Sequence, residues 1–463
     1  MRILFVIYDN DSYTNWFPQG IGYLAAVLRE NGHQVEIWNQ DLHHWPDERL
    51  TRVLDSGEPY DVVGIGVIAG YYQYRRLLGL AEAVNKAQGR PFLVIGGHGP
   101  SPEPEYFMKV TGADAVVIGE GELTIVDLLE ARQSGRPLAT VPGLAFRDGD
   151  RIVINPRREL IQDIDKLPWP AYDLFPIEIY RLLRMPNCVP ADLVMPMLSG
   201  RGCTFTCTFC YRMDEGFRPR SAQSILEEIR FLQEAYNITY IDFSDELLMS
   251  SVDRTNLLCE EILSSGLQFK WSCNGRLNYA KPKVLSLMKR AGCVFINYGI
   301  EALDDEVLKA MKKGLTTKLI VEGVRNTLAE GMSPGLNIIF GNLGDTRETL
   351  NKAVQFLLQY DDGSQLRTIR PVTPYPGSEL YYYAIKKGLL RDVEEFYEEK
   401  HVNSDLISVN CTNMTDAEVH EALLEANTQL IRRHFSRKVD LFVSEARKLY
   451  QDRNAGFRGF RQH

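Results

Sequence analysis

Cys203-Thr204-Phe205-Thr206-Cys207-Thr208-Phe209-Cys210 packs three of the chain's eight cysteines into eight residues. The others stand at 188, 259, 273, 293 and 411, and the first 187 residues have none. A disulfide framework spreads its cysteines over a small secreted domain, whereas this chain has 463 residues and an ordinary globular composition. A tight C-x3-C-x2-C cluster therefore reads as a metal or redox site. Structural zinc takes four ligands, usually from two paired knuckles, and no second C-x2-C pair exists here. Three thiolates suit an iron–sulfur cubane, which leaves one iron open to a substrate or cofactor. A zinc-stabilised binding or scaffold protein is the non-enzymatic alternative, and an iron assay separates the two.

The cysteines follow the first of six strand–helix units. Strands are expected at 193–198, 240–243, 269–273, 294–298, 336–340 and 368–372, and helical spacing separates them, as in 224–234, 319–328 and 350–358. Six such units predict a full or partial barrel, whose chemistry sits at the C-terminal ends of the strands. The cluster falls in the first of those strand-end loops. After about 390 the sequence is charged and mostly helical in pattern, and it reads as a C-terminal cap over 391–463.

Upstream, residues 1–140 alternate strand and helix in a second series. Ile3–Ile7 is a continuous apolar run, as a strand buried on both faces requires, and further strands are expected at 35–37, 62–68, 92–95 and 115–118. This rhythm predicts an α/β, Rossmann-like parallel sheet covered by helices, with its ligand crevice at the carboxyl ends of the strands. Glycines gather at that edge: Gly20 and Gly22 open the first helix, Gly96-Gly97-His98-Gly99 follow the fourth strand, and Gly119-Glu120-Gly121 the fifth. Missing side chains let a ligand approach the backbone closely. No G-x-G-x-x-G with a ribose-binding acid is present, which argues against a nicotinamide cofactor. Residues 141–193 read as a connector, with a hairpin around Asp148-Gly149-Asp150 and then a run of prolines.

Lys plus Arg is 52 and Asp plus Glu is 61, a net charge of −9, which gives no electrostatic footprint for nucleic acid or an anionic membrane. Arg453, Arg458 and Arg461 make the tail locally basic. The longest apolar stretch, 62–72, is about half of a membrane span. Asp9 and Asp11 follow the N-terminal apolar run at once, so no signal peptide is expected and the protein reads as cytoplasmic.

The cysteine spacing resembles the signature of the radical S-adenosylmethionine enzymes, and later motifs match that family in order. Tyr240-Ile241-Asp242-Phe243-Ser244-Asp245-Glu246, Trp271-Ser272-Cys273-Asn274-Gly275-Arg276, Asn297-Tyr298-Gly299-Ile300-Glu301, Phe340-Gly341-Asn342-Leu343-Gly344-Asp345-Thr346 and Arg370-Pro371-Val372-Thr373-Pro374-Tyr375-Pro376-Gly377 resemble its second to sixth strand-end loops. The resemblance implies a 4Fe-4S cluster on Cys203, Cys207 and Cys210. For S-adenosylmethionine it implies Phe209 and Thr373 near the adenine, Asp245 or Glu246 at the amino group, Arg276 at the carboxylate and Glu301 at the ribose.

The Rossmann-like domain ahead of the barrel is similar to that of the cobalamin-dependent branch of this family. That likeness covers residues 1–390 and implies cobalamin against Gly20, Ile68, Tyr71, Tyr72, Gly96, Gly97, His98, Gly119, Glu120 and Gly121. One departure is that the D-x-H-x-x-G motif that supplies a histidine to cobalt is absent. A residue of Ile68-Ala69-Gly70-Tyr71-Tyr72 is therefore expected under the metal. Methylthiotransferases share the barrel but carry cysteines in their N-terminal domain, which this chain lacks.

The activity implied is radical methylation of an unactivated carbon under anaerobic conditions, with flavodoxin or ferredoxin as electron donor. The acceptor expected is a peptide or protein side chain, such as a glutamine of methyl-coenzyme M reductase, or a small-molecule precursor. A cobalamin-assisted cyclase or oxidase is the alternative.

Overall fold

The computed structural model describes every residue except 13, 214, 454–455 and 457–463, so Arg458 and Arg461 lie outside the described residues. The first half is built on β1 (Arg2–Ile7), β2 (Gln34–Asn39), β3 (Val62–Gly66), β4 (Phe92–Gly96), β5 (Ala115–Val117), β6 (Leu144–Asp148) and β7 (Arg151–Ile154), in the spatial order β2-β1-β3-β4-β5-β6-β7. The first five are parallel, and β6 and β7 add antiparallel. β1 is buried on both faces from Ile3 to Ile7 because helices cover both sides, which is why its sequence is continuously apolar. The hairpin that the sequence assigns to a connector instead extends this sheet. Its Leu144, Ala145 and Phe146 are buried against β5.

The second half carries β8 (Val194–Met197), β9 (Gly200–Cys203), β10 (Gly216–Pro219), β11 (Tyr240–Phe243), β12 (Lys270–Gly275), β13 (Cys293–Glu301), β14 (Ser333–Phe340) and β15 (Arg370–Pro371). Six of them form one parallel sheet in the order β15-β14-β13-β12-β11-β8, so strands consecutive along the barrel are neighbours in space, as in a partial barrel. β9 and β10 form a separate antiparallel hairpin that the sequence reading missed. The helix Ala222–Tyr236 illustrates the local logic of the connections. Ser221 caps its first turn, Asn237 ends it in the left-handed region at φ 56°, and Ile225, Ile229 and Leu232 face the core.

One apolar core runs from a face of the first sheet through the connector into the barrel. Phe17 stacks on Tyr172 at 5.1 Å and meets Phe175 edge-on at 5.0 Å, and all three belong to that continuous cluster. The other face of the first sheet is covered by the C-terminal region: Leu390, Phe396, Tyr397, Val409 and Cys411 pack with Leu77 and Phe107. The expected C-terminal cap is thus only partly helical. Residues 401–415 have no regular element, and the single helix Asp416–Tyr450 then packs Val419, Leu423 and Leu430 against the barrel. Among the described residues, no helix is long and apolar enough to cross a membrane.

Candidate active site

The end of β9, at Cys203, and the loop that follows it, with Cys207 and Cys210, hold the three clustered cysteines at the C-terminal mouth of the barrel. The loop backbone is pinned from two sides: Thr208 N donates to Met311 O at 3.0 Å, and Leu380 N donates to Thr208 O at 2.8 Å. Cys207 is buried, Cys203 is half-buried and Cys210 is exposed. The Cys207 and Cys210 thiols are hydrogen-bond partners, and that contact, helped by Lys313 and Arg276, pulls the Cys207 thiol below its ordinary value against the effect of burial. Among the described residues, no three His, Cys, Asp or Glu side chains converge on a point that would hold a single metal ion. A cubane needs no such point, because each thiolate binds a different iron. Three sulfurs on one short loop, beside two buried cations, fit an anionic cluster.

Arg276 leaves the end of β12 and lies 3.3 Å over the Phe205 ring, with its guanidinium donating to Lys313 O. Burial lowers its pKa, and the adjacent Cys207 opposes that shift. Glu301 ends β13 at φ 71°, an uncommon conformation for a residue with a side chain. Its carboxylate accepts from Lys313 Nζ at 2.8 Å in a pair that is only 11% and 8% exposed. A Cβ on Gly299 would collide with the Glu301 carboxylate and meet Lys313 Nζ at 3.0 Å, so a side chain there would make the ends of the pair shift. Lys313 Nζ also stands 5.8 Å over the Phe209 ring. Phe209, Arg276 and Glu301 are thus brought together around Lys313, which the sequence reading missed: Lys312-Lys313-Gly314 looks like an ordinary surface charge run. Thr373 is buried just beyond β15, where its carbonyl accepts from Tyr375 N at 3.0 Å.

The two acids after β11 separate. Asp245 is 1% exposed and is committed to Ser199, accepting from its backbone N at 2.6 Å and from its hydroxyl. It shapes the entry to β9 and is not presented to the amino group of a ligand, contrary to the sequence expectation. Glu246 is exposed and acts electrostatically on Cys203. An amide ladder crosses the same mouth: Asn297 donates to Asn274 Oδ1 at 3.0 Å, and Asn337, exposed, donates to Asn297 Oδ1 at 2.7 Å. Below it Asp242 accepts from Ser272 Oγ at 2.6 Å, and burial raises its carboxyl to about 6.

Across from this mouth lies the carboxyl edge of the first sheet. A Cβ on Gly20, Gly66 or Gly119 would meet nothing within 4 Å, so these glycines face open space. Gly97 has φ 99°, and a Cβ there would collide with Val67 O, which locks the Gly96–Gly99 turn against the loop carrying Ile68. Ile68 is 54% and Tyr72 38% exposed, and His98 is exposed. Tyr71 turns inward, under Arg75 at 5.1 Å and edge-on to His401 at 6.4 Å. A large, flat ligand fits such a cradle because backbone forms its floor. Gly121 packs against Leu24. Glu120 is turned away from the cradle: its carboxylate binds Arg201 and Arg218 of the β9–β10 hairpin, so the expected cobalamin contact is an interdomain ion pair. The cradle and the cysteine loop touch where the His98 ring meets Tyr211 edge-on at 6.1 Å, one residue beyond Cys210.

Residues 197–357 match the family model of the radical SAM superfamily, and residues 6–129 that of the B12 binding domain. An uncharacterized methyltransferase of Pyrococcus horikoshii is 30% identical over 427 residues, 88% of this chain and 90% of that protein. The anaerobic magnesium-protoporphyrin IX monomethyl ester cyclase of Rubrivivax gelatinosus is 26% identical over 86% of this chain and 72% of its own length. The fold is shared with the radical S-adenosylmethionine methyltransferase TsrM from Kitasatospora setae, solved with cobalamin and a [4Fe-4S] cluster. The TM-score is 0.68 at 20% identity, covering 83% of this chain and 75% of that one.

Proposed function

Because the chain belongs to the cobalamin-dependent radical S-adenosylmethionine methyltransferase family, we propose that it moves a methyl group onto an unactivated carbon held between the cysteine loop and the glycine cradle. When bound, the 4Fe-4S cluster, S-adenosylmethionine and cobalamin supply a carbon-centred radical and a transferable methyl group. Cys203, Cys207 and Cys210 would hold the cluster. Arg276 would meet the S-adenosylmethionine carboxylate and Glu301 the ribose, with Lys313 fixing the angle of Glu301. Glu246 is the remaining candidate for the amino group, and Phe209 and Thr373 would flank the adenine. On the cradle side Gly20, Gly96, Gly97, His98, Gly119 and Gly121 would floor the corrin, with Ile68 or Tyr72, the two exposed members of their loop, under the cobalt. The observation that supports this reading is the contact of Tyr211 with His98, which joins the cluster loop to the cradle.

The acceptor would enter over the amide ladder at Asn337. Primary amides pair well with another amide, which favours a carboxamide-bearing acceptor. A glutamine side chain, as in methyl-coenzyme M reductase, fits that description, and so does a polar small-molecule precursor. The electron would come from flavodoxin or ferredoxin. Ring closure or oxidation without methyl transfer is the second reading, favoured by the likeness to the cyclase over 86% of this chain.

The test is product stoichiometry in anaerobic turnover with a candidate acceptor. Methylation yields about one 5′-deoxyadenosine and about one S-adenosylhomocysteine per methyl added. Deoxyadenosine with no S-adenosylhomocysteine, and a product of unchanged carbon count, contradicts methyl transfer and favours the cyclase reading.

A further inference from the structure

The three asparagines of the amide ladder stand on three neighbouring strands. Asn274 and Asn297 are direct partners in the β12–β13 register, and Asn297 faces Gly335 in the β13–β14 register. A Cβ on Gly335 would collide with Asn297 Oδ1, so the Asn297 side chain lies across β14 where that strand has none. It meets Asn337, two residues further along β14 and therefore on the same face.

Main-chain carbonyls fix which way the ladder points. Asn274 Nδ2 donates to Asp245 O at 2.7 Å, and Asn337 Nδ2 donates to Tyr298 O at 3.1 Å. A carbonyl only accepts, so both ends of the ladder must present nitrogen there. Asn274 Oδ1 is thereby left for Asn297 Nδ2, at 3.0 Å, and Asn297 Oδ1 for Asn337 Nδ2, at 2.7 Å. Both N–H groups of Asn337 are then spent, one on Asn297 Oδ1 and one on Tyr298 O. What the exposed end still offers is Asn337 Oδ1, to which no group among the described residues donates. Asn337 is the register partner of Gly299, and a Cβ on Gly299 would point at the Glu301 carboxylate. That oxygen therefore shares its face of the sheet with the carboxylate proposed to meet the ribose.

We propose that Asn337 is a specificity-determining residue: it offers the substrate one oxygen and no hydrogen, and so selects an uncharged hydrogen-bond donor, such as a carboxamide N–H, beside the carbon to be methylated. A carboxylate or a fully substituted amide would set oxygen against oxygen with no hydrogen between them, and both groups would lose their water for nothing. The ladder is neutral from end to end, so it supplies no counter-ion for an ammonium group. Asn274 and Asn297 are positioning residues, because they hold the Asn337 nitrogen away from the substrate. The proposal deepens the reading that the methyl acceptor enters over Asn337 and rests on it for the reacting carbon, whereas the selection itself needs only the ladder.

The experiment reads binding and needs no turnover. The full chain is reconstituted without oxygen with iron, sulfide and hydroxocobalamin, and S-adenosylmethionine is added without a reductant. It is titrated with propionamide, N-methylpropionamide, N,N-dimethylpropionamide and propionate, followed by ligand-observed NMR. The two amides that keep an N–H are expected to bind alike, and the dimethyl amide and propionate about tenfold more weakly, the size of one unpaired hydrogen-bonding group. Asn337→Leu, at an exposed position, should bring these ratios to about one. Asn297→Leu releases one N–H of Asn337, so the dimethyl amide should gain about threefold relative to propionamide, a shift that a merely structural role would not produce. If Asn297→Leu does not fold, Asn337→Leu decides alone. Propionate or the dimethyl amide bound as tightly as propionamide by the unaltered chain overturns the proposal. So does a ranking that survives in Asn337→Leu, or binding of none of the four probes. A ranking seen only when S-adenosylmethionine is left out assigns the oxygen to that cofactor and overturns it too. A chain that takes up no cobalamin yet keeps the ranking defeats methyl transfer and leaves the selection by Asn337 standing.

Discussion

The two sides of the proposed site are built by opposite means. The first-sheet cradle is made by leaving side chains out: Gly20, Gly66 and Gly119 face open space, and Gly97 adopts a backbone that a side chain would block. The barrel mouth is made by burying charge: Arg276, Glu301 and Lys313 are each buried and satisfy one another. A floor of backbone suits a broad cofactor held by shape, whereas fixed charges suit a small zwitterion that must be held at several atoms. The cradle should therefore tolerate changes of charge and fail on added volume, and the mouth should do the reverse.

The largest effect expected is at the cysteine loop. Cys207→Ser should cut reconstituted iron from about four per chain to below about one, read by iron assay and loss of the visible absorbance. Iron retained in full would mean that the loop is not the ligand set. Next is Lys313→Met, which leaves the Glu301 carboxylate buried without its partner. Breaking such a pair costs about 3–5 kcal/mol, so the thermal midpoint should fall steeply, while Lys313→Arg should recover part of the loss. A midpoint unchanged in Lys313→Met would show that the pair is not what holds Glu301. On the cradle side, Gly97→Ala adds one methyl group and no charge. At φ 99°, with Val67 O in the way, it should cost about 1–3 kcal/mol and weaken cobalamin binding in absorbance titrations. Equal affinity would break the contrast between the two sides.

The smallest effect depends on pH. Burial holds the Asp242 carboxyl at about 6, above its ordinary 3.8. The folded chain keeps that proton where the unfolded chain has released it. Stability is therefore lost as pH rises through this window, and the loss is complete above about 6. Asp242→Asn should stabilise the fold at pH 7 by about 1–3 kcal/mol and make little difference near pH 4. Denaturant melts at the two pH values check this, and a gain independent of pH would contradict it.

Most of the scaffold is legible in the sequence because its signals are local. The run Ile3–Ile7, the glycine turns after β4 and β5 and the spacing of the three cysteines each lie within a few consecutive residues, and the strands predicted for both sheets appear where those patterns stand. What the sequence hides is pairing over distance. Asp245 looks like a ligand beside Glu246, but its partner Ser199 is 46 residues away. Glu120 looks like a cradle residue, but Arg201 and Arg218 lie 81 and 98 residues further on. The β9–β10 hairpin carries no alternating apolar pattern, because Gly200, Gly202 and Gly216 take positions where its strands pack too closely for side chains or turn through positive φ. Lys313 hides for a related reason. A lysine beside another lysine reads as solvated until the fold brings Glu301 to it.

The central claim is that one chain brings a cluster and a corrin into one site. The most direct test is to purify it without oxygen, reconstitute it with iron, sulfide and hydroxocobalamin, and count both metals against the visible spectrum. The account predicts about four irons and about one cobalamin per chain. About four irons with no cobalamin would contradict it, because the glycine cradle would then serve some other ligand and the proposed methyl transfer would lose its donor.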